Sequence, residues 1–150
     1  MPHKKITWLL VGDGAKAQLY SVSAIPLRLK AVPSGRFSSK KVTAEELKGS
    51  ESGASYQSAG GGRHAIERRD SSHQRREDRF VTRVASAVNR AAAEHKFDAL
   101  VIVAPPRALA VYRDKFDATA NSKVAQEIHG EWANLGVHEV QAHLAAHVPL

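Results

Sequence analysis

The 150-residue sequence predicts an α/β domain, a mixed β-sheet that opens with an antiparallel hairpin and has helices packed on it. Three observations predict it. Residues 6–11 (ITWLLV) and 17–22 (AQLYSV) are β-branched or aromatic runs on either side of Gly12, Asp13 and Gly14, a turn signal between two strands. Phe80, Val81, Val84, Ala85, Val88, Ala91 and Ala92 recur at helical spacing down one face. Residues 99–104 (ALVIVA) form a short, uninterrupted apolar run, which suits a central strand covered on both faces.

The remaining elements follow in chain order. Leu27 and Leu29 alternate with Arg28 and Lys30, so a third strand is expected within 26–32. Thr43 and Glu46 have capping-box spacing, but Gly49 stops any helix after about one turn. Serine, glycine and alanine dominate 49–62, and a mobile loop is expected over about 49–70. Ser71 and Gln74 offer the start of the long helix, and His95 and Lys96 suit its C-terminal end. Pro105 or Pro106 can open a further helix whose buried side is Leu109, Tyr112 and Phe116. Val124, Gln126 and Ile128 alternate as an edge strand, and Val137, Val140 and Leu144 give a closing helix. One domain over 1–150 accounts for all of this, with no internal repeat.

The sequence has no cysteine, which removes disulfides, thiolate metal sites and thiol nucleophiles. The N-terminal apolar stretch is too short for a signal-peptide core or a membrane span, so a cytoplasmic protein without membrane insertion is expected. The net charge of +7 is unevenly placed. Residues 1–50 hold nine Lys/Arg against three Asp/Glu, 63–79 hold six arginines against four acids, and 80–150 hold seven of each. The positive field therefore sits in the N-terminal half and in the arginine-rich segment, as a polyanionic partner would require.

The sharpest local feature is Gly60, Gly61 and Gly62 followed by Arg63 and His64, then Arg68, Arg69, Arg75 and Arg76. Glycines let a backbone approach a phosphate closely, Arg63 can fork onto it, and His64 is a candidate for acid–base work. The rival account is a solvated loop and helix entry, because Glu67, Asp70, Glu77 and Asp78 are interleaved with the arginines. Lys40 and Lys41, with Arg36, form a cleaner basic cluster. Asp13, between two glycines, is expected to be a turn residue rather than a metal ligand. Glu139, His143 and His147 can share a helix face, where an exposed stripe is expected rather than a metal site.

Four stretches resemble the family of host attachment proteins. They are residues 8–17 through Gly12-Asp13-Gly14, the loop 58–65, the helix from Arg79 and Phe80, and 97–107 ending in Ala-Pro-Pro-Arg. That family is similar to the middle domain of archaeal and eukaryotic peptide-release factors, which implies a ribonuclease-H-like fold and a ribosome- or RNA-facing role. In release factors a Gly-Gly-Gln loop positions the hydrolytic water. Here Arg63 follows the glycines, so the glutamine's role passes to no residue. The expectation is a binding domain without a cofactor or metal that contacts ribosome, tRNA or other structured RNA. Its contact residues would be Gly60, Gly61, Gly62, Arg63, His64, Arg68, Arg69, Lys40 and Lys41. Two alternatives stand beside it: a hydrolase of an RNA-linked ester or phosphodiester using His64, and an adaptor for an acidic protein.

Overall fold

A computed structural model of the chain describes residues 5–39 and 62–147, with 62–71 as backbone only. The strands are β1 (Thr7–Gly12), β2 (Lys16–Ala24), β3 (Leu27–Ser38), β4 (Ala99–Ala104) and β5 (Val124–His129). The helices are α1 (Gly62–Ala93), α2 (Pro106–Lys115), α3 (Ala118–Lys123) and α4 (Val137–His147). The sheet order is β3-β2-β1-β4-β5. β2 runs antiparallel to β1 and β3, while β4 is parallel to β1 and β5 is parallel to β4. Both the mixed α/β class and the N-terminal hairpin are as the sequence predicts.

Alternation along β1 explains the three layers. Trp8 and Leu10 point to one face, where they join Leu100, Ile102, Val84, Val88, Leu109 and Tyr112 beneath α1, α2 and α3. Leu9 and Val11 point to the other, where Val101, Val103, Ile128 and Trp132 meet Val140 and Leu144 of α4. β4 is buried along its whole length, as a strand covered on both faces must be. Asp98 fixes the start of β1 by accepting the Ile6 N–H at 2.8 Å.

The structure differs from the expected elements in three places. β3 continues to Ser38, past the expected end at residue 32, because Val32 to Gly35 bulge opposite Leu19 and pairing resumes at Arg36. Gly35 is needed at that bulge, since a Cβ there would lie 2.9 Å from the Val32 carbonyl oxygen. Arg36 is therefore an exposed strand residue. The long helix begins at Gly62, so 62–70 are helical backbone rather than loop, and Ser71 is an interior position rather than a cap. No proline interrupts 63–71, and a helix nucleated by packing further along can extend through such residues. α3 has no counterpart in the sequence pattern; Asp117 caps it by accepting the Ala120 N–H at 2.9 Å. The expected turn at Thr43, and residues 49–61, lie outside the described residues.

α1 ends in a Schellman turn. Lys96 N–H donates to the Ala91 carbonyl and His95 N–H to that of Ala92, with His95 in the left-handed region at φ 58°. The reversal delivers Phe97 to the core against Trp8, with ring centroids 5.1 Å apart.

Candidate nucleic-acid interface

α1 packs on the sheet only from Phe80 onward. Phe80, Val81, Val84, Ala85, Val88 and Ala92 are buried, whereas residues 72–76 are all exposed. The helix therefore leaves the core while its backbone hydrogen bonding continues. At about 1.5 Å per residue, the stretch from Gly62 to Arg79 is roughly 27 Å long.

The charges that alternate in sequence separate on this helix. At about 100° per residue, Arg75, Arg76, Arg79, Arg83 and Arg90 fall within an arc of about 100°. All five are exposed. Positions 68 and 69 are one heptad before 75 and 76, so Arg68 and Arg69 continue the same arc by register. Glu77 and Asp78 turn toward the body of the domain. Glu77 lies over Gly14, where a Cβ would collide with its carboxylate, and accepts from His73 Nε2 at 2.7 Å. Asp78 faces Arg107 at the start of α2, at 3.9 Å. Glu77 and Asp78 thus both have partners off the arginine arc.

Arg83 shows how the arc meets the sheet. Its guanidinium donates to the Ser38 carbonyl at 3.1 Å and lies 5.3 Å from the centroid of the Phe80 ring. Leu27 and Leu29 pack against the α4-side core, so alternation sets exposed Arg28 and Lys30 on the sheet face that carries α1.

The other sequence candidates have definite places. Gly62, Arg63, His64, Arg68 and Arg69 belong to α1, while Lys40, Lys41, Gly60 and Gly61 lie outside the described residues. The first turn of α1 contains no acid, although carboxylates are favoured there; Arg63 and His64 occupy it. Asp13 is the turn residue expected. Its Oδ1 accepts the Ala15 and Lys16 N–H groups at 2.8 Å each. His143 and His147 stack on Trp132, with centroids 5.3 and 5.5 Å away. No group of three His, Asp or Glu side chains among the described residues gathers to hold a metal.

Sequence reasoning missed Tyr112 as more than a packing residue. It is fully buried, and its hydroxyl has no hydrogen-bond partner. Gly12 makes room for it, since a Cβ there would stand 2.8 Å from the oxygen. Burial pushes the phenol pKa up, and the nearby Asp13 carboxylate pushes it the same way. The phenol packs in the core against the C-terminal end of the central strand β1.

No helix among the described residues is long and apolar enough to cross a membrane. No curated protein matches the sequence. Among solved structures, the chain is similar to an archaeal translation termination factor at 11% identity and a TM-score of 0.48. That likeness covers 95% of this chain and 37% of the other. The family described as "Protein required for attachment to host cells" matches residues 8–144, and the chain belongs to that family.

Proposed function

We propose that this domain binds RNA through the arginine face of α1. One observation carries the proposal: five exposed arginines share a single arc while the neighbouring acids, Glu77 and Asp78, turn to the protein body. A helix placing its charges for solubility alone gains most from mixed i, i+4 pairs around its circumference. Sorting the signs by face instead creates a local positive field much stronger than the net charge implies. The first-turn Arg63 and His64 add to the positive end of the helix dipole, at a stability cost that an anionic partner would offset.

The binding rests on phosphate neutralisation, so it is electrostatic and weakens as salt displaces the protein from the RNA. Fluorescence anisotropy with a labelled structured RNA across a salt series tests this directly. Arg76→Gln/Arg79→Gln should lower the slope of log affinity against log salt by about two, one for each phosphate no longer neutralised. Lys115→Gln/Lys123→Gln removes the same charge from α2 and α3 and should leave the slope nearly unchanged. Equal effects of the two pairs would reduce the interaction to net charge and overturn the assignment of the face.

A further inference from the structure

Among the described residues the arc carries no aromatic ring on which a base can stack. Between its arginines it carries Ser72 and Ser86. Every Phe, Tyr and Trp ring among the described residues is buried or half-buried. Proteins that hold single-stranded nucleic acid derive much of their affinity from stacking successive bases on aromatic side chains.

The arc also carries no amide side chain among the described residues to read a base edge. Asn89, next to Arg90 in sequence, is turned away. Its Nδ2 donates to the Lys115 carbonyl at 3.1 Å and its Oδ1 accepts the Asp117 N–H at 2.9 Å. What the face does offer is a regular series of cations. Arg76, Arg83 and Arg90 recur every seven residues, about 10.5 Å apart along one helix. Arg83 is held in place by Ser38 and Phe80. A fixed series of charges binds best to phosphates that are already fixed, because a flexible strand must first give up conformational freedom.

Building on the RNA-binding reading above, we infer that the partner is base-paired RNA, gripped by its phosphates without readout of base sequence. The deep, narrow major groove of an A-form duplex is closed to side chains, so phosphate and shape recognition is what such a face can perform.

The test is competitive anisotropy of the full chain with three probes. These are an RNA duplex of about 20 base pairs, a second duplex of scrambled sequence, and an oligouridine strand with the same number of phosphates. The duplexes should agree within about twofold, and each should bind about tenfold more tightly than the strand. A strand that binds as tightly as the duplex overturns the inference, as does a change of about tenfold or more on scrambling. Arg76→Gln/Arg79→Gln separates the two levels of the argument. If the strand is preferred yet binding still depends on these arginines, only the duplex inference fails. If neither RNA binds, or the arginines are immaterial, the RNA-binding reading fails with it.

Discussion

The two halves of α1 follow different rules along one continuous helix. From Phe80 to Ala92 the face toward the sheet is apolar and buried, and the helix is held by packing. From Ser72 to Arg79 the periodicity is one of charge, with exposed arginines on one face and Glu77 and Asp78 on another. The C-terminal half anchors the helix and the N-terminal half presents it. Stability and binding should therefore respond to different substitutions.

The largest expected effect breaks the anchor. Phe80→Ala removes a buried ring at the point where the helix meets the sheet and should cost about 3–5 kcal/mol in urea unfolding. Next comes the junction between the halves. Gly14→Ala drives a methyl group into the flexible end of the Glu77 side chain, which can swing aside, and should cost about 0.5–1 kcal/mol, with Glu77→Ala in the same chain recovering most of it. Full additivity of the two would mean that the close approach of Glu77 to Gly14 has no energetic weight.

Tyr112→Phe sharpens the comparison in the core at the C-terminal end of β1. Removing an unpartnered buried hydroxyl should raise stability by about 1 kcal/mol in thermal or urea unfolding. The folded phenol has a raised pKa, so its stabilisation is complete below the unfolded-state value of about 10 and is lost as pH climbs above it. The wild type should thus lose stability in alkali more steeply than Tyr112→Phe. Smallest of all is the effect of Arg76→Gln/Arg79→Gln on unfolding, expected within about 0.5 kcal/mol because both side chains are exposed on a helix.

Most of the sheet is legible in the sequence because its strands are bounded by turn chemistry and their burial is encoded in apolar periodicity. The ends of elements are harder. β3 runs through Pro33, Ser34 and Gly35, which look like a terminator but form a bulge that resumes pairing at Arg36. Glycines, rather than Ser, Thr, Asp or Asn, immediately precede the start of α1 in sequence, so the serine at 71 looks like the first signal although the helix is already under way. The site is legible as a cluster of arginines but not as a face. Linear spacing mixes Arg75, Arg76 and Arg79 with Glu77 and Asp78, and only the helical register extending beyond the core sorts them. Tyr112 is recognisable as buried from its spacing, whereas its close approach to Gly12 joins residues 100 apart in sequence.

Exchanging Asp78 and Arg79, as Asp78→Arg/Arg79→Asp, tests the central claim at constant composition and net charge. The swap places a carboxylate within the arginine arc and an arginine toward Arg107. RNA affinity at low salt, measured by anisotropy on a variant shown to be folded, should fall by about tenfold. An affinity equal to that of the wild type would contradict the account, because it would mean that the total charge of the chain, not its sorting on α1, governs binding.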